Sequence, residues 1–224
     1  MPSEYSSEAV LPVEGVIVEN PSKEASDAAE EARLEAARLE MARRDAATAR
    51  ALRFFALVSL AVIVVDQLSK AWIRSWLSLH TEHEIIPGWL SFSHILNHGA
   101  AWGMLSGQRW FLIAVTLFVM FIVGQMAREL APHSKMARLG LGLILGGAIG
   151  NLIDRIWMGA VTDFIDLQTS IEWIRTFPIF NVADSALTVG VIILLIDFLW
   201  NRREISSSLS KKTPVNSDVN SEIS

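Results

Sequence analysis

Residues 146–185 read GGAIGNLIDRIWMGAVTDFIDLQTSIEWIRTFPIFNVADS, and this stretch decides the fold. Asp154 ends one hydrophobic segment, Asp163 lies in the short connection after it, and Asp184 begins the next segment. Carboxylates at the ends of membrane helices are costly unless they face water or protein, so they are candidates for function. We therefore predict an active site at a membrane surface.

Four hydrophobic segments predict a polytopic membrane protein. They cover approximately residues 54–72, 110–127, 139–157 and 182–200, lengths close to the ~20 residues that cross a bilayer. Hydrophobic residues make up 51% of the 224, and the mean hydropathy is +0.37. The expected fold is all-α, with four transmembrane helices, a small extracytoplasmic β-rich loop region and a cytoplasmic N-terminal helical extension. Alternation over residues 89–96, after the turn signal Pro87-Gly88, predicts a short strand in that region.

Composition divides the chain into three regions. Residues 1–51 form an acidic extension, disordered over 1–22 and helical over 23–50; residues 52–201 form the membrane core; residues 202–224 form a disordered tail. The net charge of -5 belongs to the extension, since residues 1–50 carry eleven acidic and six basic residues. Its Ala, Glu and Arg favour a solvated helix, with a coiled-coil or partner-binding arm as the alternative. No cleavable signal peptide is expected, because the first 50 residues lack an apolar core.

Two local patterns concern how the helices pack and begin. Gly142, Gly146 and Gly150 recur at four-residue spacing, which predicts a close helix-packing face. Asn181 occupies the position of an N-cap, with Asp184 in the first helical turn.

The distribution of basic residues predicts that both termini are cytoplasmic. Eleven Lys and Arg flank the N-terminal segment, the middle turn and the C-terminal tail, against five in the two opposite loops. This orientation brings polar residues from all four helices to the outer face, a convergence that indicates a site: Asp66, Asn97, Asn151, Asp154, Asp163, Asn181 and Asp184.

Asp66 and Lys70 are four residues apart and share a helical face. They form either a helix-end ion pair, with Lys70 reaching towards the lipid headgroups, or a pair that faces the site. The spacing leaves both interpretations open.

The available side chains limit the chemistry of the site. The chain has no cysteine, and its five histidines show no metal-ligand spacing. Two adjacent aspartates cannot both ionise readily, so together they can deprotonate a water and protonate a carbonyl oxygen. This predicts aspartic peptide hydrolysis without a metal or cofactor. The sequence does not decide between Asp154 and Asp163 as the partner of Asp184, although Arg155 beside Asp154 favours a structural role there.

Five motifs, in order along residues 52–200, resemble those of lipoprotein signal peptidase (signal peptidase II). They are Asp66-Gln67-Leu68-Ser69-Lys70, Asn97-His98-Gly99-Ala100-Ala101, Gly150-Asn151-Leu152-Ile153-Asp154-Arg155, Val161-Thr162-Asp163-Phe164 and Phe180-Asn181-Val182-Ala183-Asp184-Ser185. Departures are mild: Trp102 stands where the family usually has Phe, and Thr162 where it often has Val.

The resemblance implies a bacterial aspartic peptidase of the cytoplasmic membrane that removes signal peptides from diacylglyceryl-modified prolipoproteins, just before the lipidated cysteine. It implies Asp163 and Asp184 as the catalytic pair. It also implies a set of residues that shape the site or bind substrate: Asp66, Lys70, Asn97, Gly99, Ala100, Asn151, Asp154, Arg155, Asn181 and Ala183. We expect a monomer whose partners are these prolipoproteins and membrane lipid, and not nucleic acid, because no basic patch with interleaved aromatics occurs.

Two other classes of protein also place carboxylates in membrane helices. A transporter or proton channel usually has them near the midplane, between repeats, whereas this sequence clusters them at one face and shows no repeat. A metal-dependent lipid-modifying enzyme could bind Mg²⁺ through several aspartates.

Overall fold

The computed structural model describes residues 21–100, 104–169 and 171–212. In chain order the elements are α1 (Pro21–Trp76), β1 (Glu82–Ile86), β2 (Leu90–Asn97), α2 (Arg109–Leu130), α3 (Lys135–Trp157), β3 (Val161–Leu167), α4 (Glu172–Arg175) and α5 (Val182–Lys212).

Four helices of the described residues are long and apolar enough to cross a membrane: α1, α2, α3 and α5. Large apolar side chains cover their outer surfaces, for example Phe118 on α2 and Leu195 on α5, which are 64% and 57% exposed. Such surfaces are stable against lipid tails and unfavourable in water. The prediction of four membrane helices with a small β region is confirmed.

The acidic extension and the first membrane segment belong to one helix, α1. By its contacts the chain divides into two compact units, residues 1–45 and 46–224. In the first unit, the Arg44 guanidinium donates to Glu40 at 2.7 Å across one helical turn. Disorder was predicted for residues 1–22; Pro21 and Ser22 belong to α1 instead, and residues 1–20 lie outside the described residues.

The C-terminal end of the core differs from the prediction. Helix α5 continues to Lys212, whereas the sequence placed a disordered tail from residue 202. The apolar segment ends near Trp200, and a helix can continue beyond it because polar residues remain compatible with helical backbone. Residues 213–224 lie outside the described part of the chain.

Helix α3 packs closely on α1 through glycine. A Cβ at Gly146 would lie 2.7 Å from the Ser59 carbonyl oxygen, and one at Gly150 would lie 2.5 Å from Asp66 Oδ2. Neither position has room for a side chain, so the backbones approach as the four-residue glycine spacing predicts. The opposite face of α3 packs on α5, where a Cβ at Gly140 would lie 2.9 Å from the Gly190 carbonyl oxygen.

The strands form an antiparallel sheet in the order β1-β2-β3. Strand β2 closely matches the strand predicted over 89–96, while β1 and β3 were not predicted individually. In the β2–β3 ladder Ile95 pairs with Asp163, and the register shifts between Phe92 and Ile95. Phe180 then bridges to Ile165 of β3, which brings the residue before α5 beside Asp163.

Aromatic rings join the sheet to the end of α1. The Trp72 and Trp76 rings stack with their centroids 5.0 Å apart, and Phe92 of β2 meets Trp72 edge-on at 5.8 Å. Phe92 in turn contacts Phe164 of β3 at 5.9 Å. The sheet is thereby fixed against a membrane helix, which positions β3 for the site.

Candidate active site

The start of α5 forms a reciprocal cap. Asn181 Oδ1 accepts a hydrogen bond from the Asp184 backbone N–H at 3.0 Å, and Asp184 Oδ2 accepts one from the Asn181 N–H at 3.2 Å. This is the capping-box arrangement, in which the first and fourth residues satisfy each other's free donors. The predicted N-cap is confirmed, and it fixes the Asp184 carboxylate at the helix entrance.

Asp163 reaches the same place from β3. Its Oδ1 accepts from Asn181 Nδ2 at 2.7 Å, and its Oδ2 accepts from Asn97 Nδ2 at 2.9 Å. Both carboxylate oxygens therefore have neutral amide donors. Asn181 contacts both aspartates, so the two carboxylates share one neighbour.

Asn151 of α3 completes this group. Its Nδ2 donates to Asp184 Oδ1 at 2.7 Å, while its Oδ1 accepts from Asn181 Nδ2 at 3.1 Å. Lys70 Nζ donates to the same Asn151 oxygen at 2.9 Å. The amide orientations are fixed by these partners, since each Asn nitrogen donates and each Asn oxygen accepts.

Asp66, Lys70 and Asp154 form a buried ion cluster behind the amides. Lys70 Nζ lies 2.9 Å from Asp66 Oδ2 and 3.3 Å from Asp154 Oδ2, and the Lys70 side chain is fully buried. The two side chains form the ion pair that their spacing allows, but Lys70 is buried and does not reach towards the lipid headgroups; neither residue lines the cavity described below. Asp66 Oδ1 also accepts from the Ala183 N–H at 2.9 Å, which attaches α1 to the first turn of α5.

The expected pairing of Asp154 with Arg155 is wrong. Asp154 lies against Lys70 and, at 3.9 Å, Arg74 of α1, while Arg155 Nη2 donates to the Gly99 carbonyl at 3.1 Å. Consecutive helical residues point about 100° apart, so neighbours in sequence face different partners. The structural role inferred for Asp154 agrees with its contacts, but its cation comes from another helix.

The two aspartates line one cavity of about 300 Å³. Residues from β2, α3, β3, α5 and the segment before α5 surround it: Asn97, Ala100, Asn151, Arg155, Val161, Asp163, Phe177, Pro178, Ile179, Phe180, Asp184, Leu187 and Thr188. Neither Asp66 nor Asp154 lines it. Of the aspartates singled out in the sequence, Asp163 and Asp184 thus line the cavity, whereas Asp154 lies behind it against Lys70.

The loop residues predicted from Asn97 to Ala100 also join the site. Gly99 N–H donates to Asn97 Oδ1 at 2.9 Å, and its carbonyl accepts from Arg155. Ala100 lines the cavity. The loop therefore orients Asn97 towards Asp163.

Burial raises the pKa of Asp163 to about 6, with the negative charge of Asp184 as the next contribution. Hydrogen bonds from Asn97 and Asn181 and the charge of Lys70 oppose this increase. A carboxyl whose pKa lies near neutrality can both accept and release a proton at physiological pH.

Gln67, Arg74 and Thr162 support the site but were not among the predicted site residues. Gln67 Nε2 donates to the Gly150 carbonyl at 3.1 Å and to Asp154 Oδ1 at 3.3 Å. Arg74 Nη1 donates to Thr162 Oγ1 at 3.0 Å. Arg74 follows Asp66 and Lys70 at four-residue spacing, and this spacing was the signal that could have identified it.

Among residues 21–100, 104–169 and 171–212, no group of three or more His, Cys, Asp or Glu side chains is arranged to bind a metal ion. The acids of the site contact amides and basic side chains instead.

Fold and site together define a polytopic membrane protein with an acid–amide centre at the junction of its helices and a small sheet. The sequence model described as Signal peptidase (SPase) II matches residues 58–200. The chain therefore belongs to the signal peptidase II family, and it is a peptidase of a bacterial membrane.

Relatives and solved structures agree with this assignment. The chain is 42% identical over 149 residues to the lipoprotein signal peptidase of Latilactobacillus sakei subsp. sakei, covering 66% of this chain and 95% of that protein. It is 44% identical over 146 residues to that of Geobacillus thermodenitrificans, covering 65% and 89%. A bacterial membrane enzyme solved by the in meso method is similar with a TM-score of 0.63 and 35% identity, covering 72% of this chain and 93% of that one.

Proposed function

We propose that this protein cleaves the signal peptide from diacylglyceryl-modified prolipoproteins, just before the lipidated cysteine, with Asp163 and Asp184 activating a water. The observation that carries the proposal is the shared cavity. Two acids from β3 and α5, linked by Asn181 and with no basic group within hydrogen-bond distance among the described side chains, line one space of about 300 Å³. Relatives named lipoprotein signal peptidase supply the substrate class.

The proposed mechanism divides two tasks between the acids. The ionised carboxylate removes a proton from water as the water oxygen attacks the scissile carbonyl carbon, and the protonated carboxyl donates its proton to the carbonyl oxygen. Collapse of the tetrahedral intermediate breaks the C–N bond: the leaving amine takes a proton from the acid that received one from water, and one hydroxyl of the intermediate returns a proton to the other carboxylate, which restores the starting pair. The shared proton belongs to the pair rather than to one residue.

The three asparagines support this exchange. Asn97, Asn151 and Asn181 each donate a hydrogen bond to Asp163 or Asp184. A neutral amide orients a carboxylate without the full charge that would hold it ionised, so the pair can lose and regain a proton within its cavity.

A second cavity is suited to bind an apolar part of the substrate. It measures about 470 Å³ and adjoins Asp184, with a lining that is mostly hydrophobic: Leu167, Ile174, Phe177, Phe180, Asp184, Ser185, Thr188 and Val189. A segment carrying acyl chains or apolar side chains would be favoured there by burial of its surface.

The direct test compares two forms of one substrate. We expect the purified protein to cleave a diacylglyceryl-modified prolipoprotein and to leave the unlipidated form intact, with Asp184→Asn protein as the inactive control. Mass spectrometry of the product defines the cleaved bond. Equal cleavage of both forms, or a cut elsewhere, would contradict the proposed specificity.

We also propose that the protein acts as a monomer and that the reaction needs no metal ion. Activity after exhaustive treatment with EDTA should equal that of the untreated enzyme. Loss of activity that returns on adding Mg²⁺ would instead favour metal-dependent chemistry.

The orientation is proposed with both termini in the cytoplasm and the site near the outer face. The native chain has no cysteine, so single introduced thiols report sidedness cleanly. Glu84→Cys on exposed β1 should react with a membrane-impermeant maleimide in intact spheroplasts, while His133→Cys between α2 and α3 should react only after lysis. The reverse pattern would invert the topology.

A further inference from the structure

Thr162, the residue before Asp163, is anchored on three sides. Its side chain is fully buried. Its N–H donates to Asp154 Oδ2 at 3.0 Å, and its carbonyl accepts from Asn181 Nδ2 at 3.4 Å. Its hydroxyl accepts from Arg74 Nη1 at 3.0 Å. The first two contacts use backbone groups that any residue has, whereas the third depends on the hydroxyl.

Arg74, near the end of α1, is the donor of this third hydrogen bond. Its side chain is 29% exposed, so water can solvate the rest of the guanidinium. One edge reaches Thr162, and the same nitrogen lies 3.9 Å from Asp154. Arg74 itself does not line the cavity and touches neither Asp163 nor Asp184 among the contacts of the described residues.

Strand geometry connects this contact to the reactive acid. Adjacent strand residues point to opposite faces, so a Thr162 side chain held towards α1 directs Asp163 towards the cavity. The partner strand gives less support here, because the β2–β3 register shifts between Phe92 and Ile95, and Ile95 is the residue paired with Asp163. Such an irregularity disrupts the ladder locally.

We propose that Arg74 and Thr162 are positioning residues that set the direction of the Asp163 carboxylate through a side-chain hydrogen bond on the opposite face of β3. The inference rests on the function proposed above. It assigns a role in turnover to a hydroxyl that lies outside the cavity. Because the family often has Val at this position, the role is specific to this chain, in which the Arg74 guanidinium needs the hydroxyl as its acceptor.

Thr162→Val tests the contact with little change in shape. It removes the hydroxyl and keeps both backbone hydrogen bonds. We expect kcat to fall by roughly tenfold with little change in KM, because misplacing a reacting group slows chemistry more than binding. Thr162→Ser, which keeps the hydroxyl, should stay within about twofold of the parent. The matched control is Thr116→Val in α2, which removes a hydroxyl bonded to the Leu112 carbonyl and should leave kcat unchanged.

Arg74→Met extends the test to the donor. If the two residues act through one hydrogen bond, the loss of kcat caused by Arg74→Met should be clearly smaller in the Thr162→Val background than in the parent. Equal losses in both backgrounds, or a Thr162→Val enzyme as fast as the parent, would overturn the proposal. Should Thr162→Val fail to fold, parental turnover by Arg74→Met would overturn it equally.

Asp163→Asn, measured in the same assay, separates this inference from the proposed function. If Asp163→Asn is inactive and Thr162→Val is fully active, only the positioning role fails. If Asp163→Asn is itself active, the proposed catalytic pair fails and the positioning role fails with it.

Discussion

The cluster around Lys70 and the cavity beside it both contain two aspartates, and the two pairs differ in the charge of their neighbours. Asp66 and Asp154 lie within 3.3 Å of a buried ammonium group. Asp163 and Asp184 accept their side-chain hydrogen bonds from neutral asparagines. A fixed cation favours the charged form of a neighbouring carboxylate, whereas a neutral amide orients a carboxylate without adding a full charge. Identical side chains thus have an ammonium partner in one pair and amide partners in the other, and the proposed function assigns the reaction to the second pair.

Replacing either cavity aspartate is the most direct test of the difference between the two pairs. Asp163→Asn and Asp184→Asn should each lower turnover on the order of 10²–10⁴-fold or more, because an amide cannot accept and return a proton. Turnover per folded, membrane-inserted molecule on a diacylated prolipoprotein is the measurement. Near-parental turnover by either variant would show that the reactive pair is misassigned.

Asp154→Asn should act mainly on stability. Removing one partner of a buried ion pair lowers the free energy of unfolding by roughly 3–5 kcal/mol. The lower end is expected here because Lys70 keeps its ion pair with Asp66. The melting temperature in detergent should fall, while turnover per folded molecule should decline far less than in Asp163→Asn. Asp166→Asn on β3 is the control, because the described partners of this carboxylate are the neutral side chains of Ser93 and Gln168. If Asp154→Asn melts like the parent and is inactive, the two aspartates have been assigned the wrong roles.

The pH dependence of stability sharpens the same contrast. Burial and the charge of Asp184 raise the pKa of Asp163 from 3.8 to about 6. Between these values the folded chain binds more protons at this site than the unfolded chain, so this group's contribution to stability decreases as pH rises. Asn does not titrate. From pH 4 to pH 7.5 the stability of Asp163→Asn should therefore improve relative to the parent by up to about 3 kcal/mol. Thermal melts of both proteins at pH 4 and pH 7.5 provide the measurement. The same difference in stability between Asp163→Asn and the parent at both pH values would refute this prediction.

Deleting residues 1–45 should have the smallest effect. The deletion removes the first compact unit and leaves every residue of the ion cluster and of the cavity in place. We expect turnover of the inserted core to remain within about threefold of the full chain, since no group of the site is removed. A tenfold drop in a correctly folded truncation would assign the extension a part in catalysis.

The sequence predicted those features that depend on local periodicity. Glycines at four-residue spacing predicted the packing of α3 on α1, and Asn181 predicted the start of α5, because helix geometry alone determines both. The partner of Asp154 required the packing of different helices, and sequence adjacency wrongly suggested Arg155. Strands β1 and β3 were not identified, since each is short and is stabilised by pairing with β2 rather than by its own residues.

The contact between Asp66 and the Ala183 N–H joins the first membrane helix of the chain to the last. The ribosome completes α1 well before it reaches Asn181 and Asp184. Until α5 enters the bilayer, the cap, the cavity and one of the two acids are missing together. With Asp163 and Asp184 as the catalytic pair that we propose, a growing chain therefore has no proteolytic centre until the final helix inserts.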